Sequence, residues 1–138
     1  MIHRISFRAF VAATEDEERV RNALCIFVPS DYIEASSVDG YYGNPIKILD
    51  ATLRRKEGLA FFQILREQLP EADLARLQRE APSRTDEDCH FHLRLDKQAA
   101  YKGKVRLTDS GDAIDVSVHV ATYPARYEEA VRVVGELL

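Results

Sequence analysis

The sequence is poor in cysteine, since only two of its 138 residues, Cys25 and Cys89, are of this type. No CxxC pair and no dense cysteine framework occurs. Small secreted scaffolds depend on several disulfides, so this class of protein is excluded. We expect two reduced thiols in a cytoplasmic protein.

Long apolar runs are missing as well. No stretch approaches 18 consecutive apolar residues, so the sequence predicts no transmembrane helix and no membrane contact. The first ten residues alternate apolar with polar types, whereas a signal peptide has a continuous apolar stretch. Repeats, low-complexity tracts and linkers are also absent. We therefore predict one domain over residues 1–138.

The common enzyme signatures are absent from the chain. It contains no P-loop, no Rossmann fingerprint and no nucleophile elbow. The acidic runs at 15–18 and 86–88 are typical of a helix start and a solvated loop, not of an acid/base pair. The sequence thus indicates a non-catalytic protein without a cofactor. The net charge of −4 and the pI of about 5.6 further limit any nucleic-acid site to a local patch, because proteins that grip nucleic acid with a whole face are usually basic.

Hydrophobic periodicity predicts a mixture of strands and helices. Strands are predicted at 2–12, 32–38, 46–53, 88–96, 104–108 and 113–121. Helices are predicted from Thr14, at 55–69, 71–80 and 97–102, and from 126 to the end. Thr14 and Glu17 suit a capping box, and Leu59 is expected to face the core. This order indicates an α+β two-layer sandwich, with a mainly antiparallel sheet, helices on one face and the other face open to solvent or a partner.

One segment stands out by its charge. Residues 94–106 hold five basic residues and one acid, a local charge of +4 in a chain of net charge −4. A phosphate backbone needs several spaced donors, and an adjacent aromatic ring can stack on an unpaired base. The alternative is a solvated strand face, with Tyr101 anchoring the turn. The predicted RNA-binding residues are Arg94, Lys97, Gln98, Tyr101, Lys102 and Lys104.

Two further motifs have plainer explanations. His90 and His92 lie on one face of a predicted strand and can chelate a metal, but Cys89 points away and no further ligand is evident, so we predict no metal site. A histidine-dependent phosphodiesterase is a third, less favoured function. The loop Gly40–Pro45, with two glycines and two adjacent tyrosines, suits either a base-stacking or partner-binding loop or, as the favoured interpretation, a hairpin with unusual backbone angles.

The string from Leu93 to Lys104 is similar to the signature of a small archaeal family of RNA-binding, predicted exosome-associated proteins. Weaker likenesses follow the same order: the helix after Thr14, the loop Gly40–Ile46 and the turn Tyr123–Pro124. The resemblance covers roughly residues 5–127. It implies a fold like that of the ribosomal protein that binds 5S RNA, a role in RNA processing or ribosome biology, and a homodimer.

The sequence therefore favours a non-catalytic RNA-binding protein whose partners are RNA and proteins of an RNA-processing complex. An adaptor that docks proteins without touching RNA is the alternative. In that case the basic segment would bind an acidic partner, and the open sheet face would pair subunits.

Overall fold

A five-stranded antiparallel sheet is the frame of the protein, of which the computed structural model describes residues 1–39 and 45–138. The strands are β1 (Ile2–Val11), β2 (Glu34–Asp39), β3 (Pro45–Arg54), β4 (His90–Asp96) and β5 (Ala113–Val120). They are ordered β2-β3-β1-β5-β4, and all neighbours run antiparallel. The first and last strands of the sheet in space are thus β2 and β4.

Helices cover one face of this sheet. They are α1 (Glu17–Leu24), α2 (Lys56–Gln68), α3 (Glu71–Arg84), α4 (Lys97–Tyr101) and α5 (Tyr127–Leu137). In β1, Ile5, Phe7 and Ala9 point to the helices and are buried, whereas the residues between them face the other side. The predicted two-layer α+β sandwich is confirmed.

Aromatic side chains fill the centre of the core between the sheet and α2. The rings of Phe7 and Phe61 meet edge to face, with centroids 5.2 Å apart, and Phe62 and Phe27 pack against Phe61. Burying each such ring contributes about 2–3 kcal/mol. The core therefore holds the sheet rigidly on one side and leaves its other face for solvent or a ligand.

Two details of the predicted helices are wrong. The N-cap of α1 is Asp16, whose carboxylate accepts a hydrogen bond from the Glu18 amide at 3.0 Å, so Thr14 forms no capping box. Leu59 is 46% exposed, because α2 turns Phe61 and Phe62 toward the core instead. The predicted helix at 71–80 also continues to Arg84.

The strand predicted at 104–108 is wrong, although part of this segment lies along the outer edge of β4. Leu107 forms an isolated bridge with Leu95, and the Thr108 amide donates to the Arg94 carbonyl. No longer ladder forms there, because β4 ends at Asp96 and the chain turns into α4 at Lys97, which leaves residues 104 and 105 without a strand to pair with. The Leu107 amide points away from β4 and donates to the Asp73 carboxylate of α3. At the other end of the same edge, Thr85 forms a second isolated bridge with Phe91.

Most of the predicted loop Gly40–Pro45 lies outside the described residues, so its role stays a prediction. No helix in the described ranges, 1–39 and 45–138, combines the length and the apolar composition needed to cross a membrane.

Candidate nucleic-acid interface

The basic segment is built around α4, a single short helix that follows β4. Asp96 caps it, because its carboxylate accepts a hydrogen bond from the Ala99 amide at 3.0 Å. Gly103 ends it with a left-handed backbone, φ 72°, as the sequence predicts. Asp96 and Gly103 therefore shape the turn that presents the neighbouring cations.

Lys97 is the least exposed of the predicted site residues, at 2%. Its ammonium lies 2.9 Å from Glu15 Oε1 and 2.7 Å from Asp112 Oδ1, and it donates to the Phe10 carbonyl at 3.0 Å. These partners belong to the end of β1, the segment before α1 and the turn before β5. Lys97 thus ties three parts of the chain together and has no free donor facing solvent.

Tyr101 extends this buried network. Its hydroxyl donates to the Glu15 carboxylate, and burial together with this contact raises the pKa of the phenol. Burial alone would raise the pKa of Glu15, but hydrogen bonds from Tyr101, Ala12 and Lys97 hold it below its ordinary value. The Arg19 guanidinium lies 4.8 Å from the centre of the tyrosine ring. One face of the ring that was predicted to stack on a base is therefore covered by a cation.

Three cations of the segment face solvent: Lys102, Lys104 and Arg106, here called the 102–106 patch. Within the described residues none of the three forms an ion pair, whereas Gln98 beside them donates to Asp112 at 3.3 Å. Exposed and unpaired ammonium and guanidinium groups are free to bind phosphate. Of the predicted residues, the structure groups Lys102 and Lys104 with Arg106 on the outside and places Lys97 and Tyr101 inside.

Arg94 lies on the open face of the sheet, apart from this patch. Its Nε is 3.1 Å from Asp115 on β5. On the other side of Asp115, Arg8 of β1 pairs with Asp50 of β3 at 2.8 Å. Cations and acids therefore alternate from β4 to β3, and Glu34 of β2 adds a further acid opposite Asp50, so this row has no surplus of positive charge.

The next row of the open face carries small hydroxyls. Thr52, Ser6 and Ser117 are cross-strand neighbours, and His92 continues the row on β4. Nε2 of His92 is 2.9 Å from the Asp86 carboxylate. A groove of about 740 Å³ runs over these residues and reaches Arg94 and Thr108. Its walls offer hydroxyl groups and charges of both signs.

The third row is basic, and we call it the arginine–histidine row. It consists of Arg54, Arg4, His119 and His90, each opposite the next in the cross-strand register. The rings of His119 and His90 stack at 4.4 Å, and His3 touches the edge of His119 at 5.0 Å. All four histidines of the chain thus lie in one cluster, since His92 stacks on His90 at 6.2 Å.

The sequence predicted that His90 and His92 share a face, and this is confirmed, but it treated His3 and His119 as scattered. Only the register between strands brings them together. Cys89 is buried behind this cluster with a positive φ of 65°. In the part of the chain that the structure covers, no three histidine, cysteine or acidic side chains are placed to hold a metal ion.

Comparison with known proteins identifies the family. The model of a protein family described as RNA binding matches residues 4–120. The chain belongs to this RNA-binding family. A protein named RNA-binding protein PAB1135 from Pyrococcus abyssi is 35% identical to it, over 99% of this chain and 93% of the relative.

Solved structures of related proteins share the whole fold. Protein AF2318 of Archaeoglobus fulgidus superposes with a TM-score of 0.88 at 35% identity, and all of both chains is covered. Mth689, a DUF54 protein of Methanothermobacter thermautotrophicus, gives a TM-score of 0.85 at 37% identity, covering 100% of this chain and 98% of Mth689. The predicted membership of an RNA-binding family with archaeal relatives is confirmed. The exosome association and the likeness to the 5S-RNA-binding ribosomal protein stay predictions.

Proposed function

We propose that this protein binds RNA without catalysing a reaction and does so with the 102–106 patch. The observation that carries the proposal is the set of three exposed cations, unpaired within the described residues, in a chain whose net charge is −4. An acidic protein repels polyanions overall, so a cluster without compensating acids is the place where phosphate binds most favourably. Membership of the RNA-binding family supports the same function.

The residues of this site divide into two roles. Lys102, Lys104 and Arg106 contact phosphates. Arg94 reaches the same strand of RNA by exchanging Asp115 for a phosphate oxygen, and Gln98 hydrogen-bonds a sugar or a base edge.

Lys97 and Tyr101 act differently from the role that the sequence suggested for them. They position α4 through Glu15 and contact no RNA. Their contribution to binding is therefore indirect, since they fix the turn from which the exposed lysines project.

The cellular setting that we propose is an RNA-processing or ribosome-related complex in the cytoplasm, with the protein acting as a homodimer. The family resemblance of residues 93–104 implies this setting, and the name of the Pyrococcus abyssi relative is consistent with it. Partner proteins would be recovered together with RNA. An adaptor that touches no RNA would retain its partners after nuclease treatment.

Salt-dependent binding tests the proposed function. Fluorescence anisotropy with a labelled single-stranded RNA would be recorded from 50 to 300 mM KCl for the wild type and for Lys102→Ala/Lys104→Ala. Removing one cation that binds a phosphate reduces the slope of log affinity against log salt by about 0.7 for a single strand, so the slope of the double variant should fall by about 1.4.

The matched control is Arg79→Ala/Arg126→Ala, which removes two exposed cations that, like the two lysines, form no ion pair within the described residues. It should leave the slope unchanged. A wild type that binds no RNA at 50 mM KCl would overturn the proposed function. Equal slopes for the lysine variant and the wild type would overturn the assignment of the site.

A further inference from the structure

Arg4 and Arg54 stand directly opposite each other on the open face of the sheet, on β1 and β3. Like charges in this position destabilise a sheet. Two rows further along the same strands, Arg8 is compensated by Asp50. Among the residues that the structure describes, neither Arg4 nor Arg54 forms an ion pair. The sheet therefore keeps one repulsive pair, although Arg8 shows that a carboxylate partner can be accommodated between the same two strands.

More positive charge surrounds this pair. Arg55 and Lys56 follow directly after β3, are exposed, and line a shallow groove of about 430 Å³ together with His3. Neither has an ion-pair partner in the described ranges. Arg55 also has a positive φ of 45°, a backbone conformation that is unfavourable for a residue with a side chain. This groove lies where β3 runs into α2, so Arg55 and Lys56 follow Arg54 at the end of the sheet.

Acids lie near this cluster but are engaged elsewhere. The Glu57 carboxylate accepts the hydroxyl of Tyr32. Asp86 accepts from the His92 ring at 2.9 Å and from the backbone amides of Asp88 and His90. Glu57 and Asp86 therefore already have donors of their own. Asp31 and Glu34 line a groove together with Arg54, but among the described residues neither forms an ion pair with it.

On the histidine side of the row, one ring nitrogen of His119 also lacks a hydrogen-bond partner within the described part of the chain. Nδ1 of His119 is buried and has no hydrogen-bond partner among the described residues. Burial, the neighbouring His90 and the nearby Arg4 all disfavour the charged form and lower the pKa of this ring. An anion placed over Arg4 would reverse the last of these effects. The arginine side of the cluster thus has no ion pair among the described residues, and the histidine side has one buried ring nitrogen without a partner.

We propose that this end of the open face is a second phosphate-binding surface, which takes the backbone of a single RNA strand running on from the 102–106 patch. Arg4 and Arg54 bind one phosphate between them, and Arg55 and Lys56 bind an adjacent one. This inference rests on the proposed RNA binding. Arg94 and His90 lie four residues apart on β4, about 13 Å, and Arg4 lies two strands across the sheet from His90, about 10 Å, so Arg94 is about 16 Å from Arg4, a distance that a few nucleotides span.

The row of hydroxyl groups between the two regions indicates which nucleic acid, RNA or DNA, the surface binds. Ser6, Thr52 and Ser117 place three hydroxyls along the path from Arg94 to Arg4. Hydroxyl groups beside a phosphate site can contact the ribose 2′-hydroxyl, the group that distinguishes RNA from DNA. The surface should therefore prefer single-stranded RNA to single-stranded DNA of the same sequence.

The test compares affinities of purified full-length variants for a labelled 15-nucleotide oligouridine at 50 mM KCl. Arg4→Gln/Arg54→Gln should bind at least tenfold more weakly than the wild type, and its salt slope should fall by about 0.7, since the two arginines share one phosphate. Arg4→Lys/Arg54→Lys, which keeps the charge, should recover most of the affinity. Arg79→Gln/Arg126→Gln is the matched control, since both residues are exposed and form no ion pair within the described residues, and it should stay within twofold of the wild type.

Thermal unfolding separates a binding defect from a folding defect. Removing the repulsive pair should leave the Tm unchanged or raise it, so that binding is lost from a protein that is at least as stable. Should the double variant fail to fold, Arg55→Gln/Lys56→Gln replaces it, since both residues lie outside the sheet. The same anisotropy and slope measurements then apply.

The outcomes distinguish this inference from the proposed function. If the wild type and Lys102→Ala/Lys104→Ala behave as proposed but Arg4→Gln/Arg54→Gln binds like the wild type, the second surface is wrong and the first stands. If the wild type binds no RNA, both the proposed function and the second phosphate-binding surface are wrong. Equal affinities of the wild type for oligouridine and for an oligodeoxythymidine of the same length would overturn the role of the hydroxyl row.

Discussion

The ammonium of Lys97 lies 2.9 Å from Oε1 of Glu15, a residue 82 positions earlier in the chain. This ion pair joins the basic segment to the connection between β1 and α1, and Tyr101 donates to the same carboxylate. The geometry of the exposed 102–106 patch therefore depends on an ion pair that lies beneath the surface.

Replacing Lys97 by alanine should cost about 3 kcal/mol of the free energy of unfolding. The substitution leaves the Glu15 carboxylate partly buried without its counter-charge, and Asp112 loses a partner as well. Urea denaturation measures the loss. Lys102→Ala, which removes an exposed lysine of the same helix end, should stay within about 0.5 kcal/mol of the wild type. Similar costs for the two variants would contradict the buried role of Lys97.

Replacing Tyr101 by phenylalanine should cost about 1.5 kcal/mol of stability, because the hydrogen bond to a charged acceptor is removed. The pKa of Glu15 is lowered in the folded protein, and Tyr101 contributes to that lowering. Stability from this carboxylate is present above the unfolded value and is lost as the pH falls through the folded pKa. The variant should therefore lose less stability than the wild type on acidification below about pH 4.5, in urea titrations at several pH values.

RNA binding by variants of Tyr101 tests whether its ring contacts RNA. Tyr101→Leu, which removes the ring, should bind oligouridine as well as Tyr101→Phe once both are fully folded. A base stacked on the ring would instead be worth about 1–3 kcal/mol. Loss of affinity confined to Tyr101→Leu would therefore restore the stacking role.

Exchange of Gly103 for alanine should cost about 1 kcal/mol. The cost is conformational, since φ is +72° and no atom lies within 4 Å of the position that a Cβ would occupy. Gly103→Asn should be tolerated better, because asparagine adopts the left-handed conformation more readily. Thermal unfolding shows which of the two variants is more stable. An alanine variant more stable than the asparagine variant would contradict the left-handed backbone at position 103.

His119 should make the protein less stable as the pH falls below about 6.5. Its pKa is lowered in the folded state by burial, by His90 on β4, and by Arg4 and His3 on β1, with Asp86 opposing. The unfolded chain therefore binds more protons than the folded chain in the window between the folded pKa and the ordinary one, and protonation favours unfolding there.

The measurement is the Tm between pH 7.5 and 5.5, for the wild type and His119→Gln. The variant should show a flatter dependence, and His92→Gln, whose ring is more exposed, is the control. Parallel curves for the wild type and His119→Gln would contradict the prediction.

Much of the fold could be predicted because the pattern of apolar and polar residues along a short segment depends on which of its sides is buried. Alternation in β1 and β5 identifies the buried face of each strand, and the glycine at 103 marks the end of α4. The segment 104–108 alternates in the same way, yet it forms only the bridge of Leu107 to Leu95, since β4 ends at Asp96 and turns into α4. The length of a strand pair depends on both partners, and the local pattern of one partner does not record where the other turns away.

The candidate site was only partly predictable for the same reason. A lysine in a polar segment is ordinarily exposed, and nothing near Lys97 in the chain indicates that Glu15 and Asp112 will enclose it. The repulsive pair of Arg4 and Arg54 depends on which residues of β1 and β3 face each other, and register follows from the folded sheet rather than from either strand alone.

The bridges of Thr85 to Phe91 and of Leu95 to Leu107 occupy the outer edge of β4 near both its ends. A strand from another molecule finds no continuous row of free amides and carbonyls there. Lengthening of the sheet is consequently restricted to the β2 side. If two copies joined through their β2 strands, the free edge of each copy would be paired with the other. The product would therefore be a closed dimer and not a growing fibre.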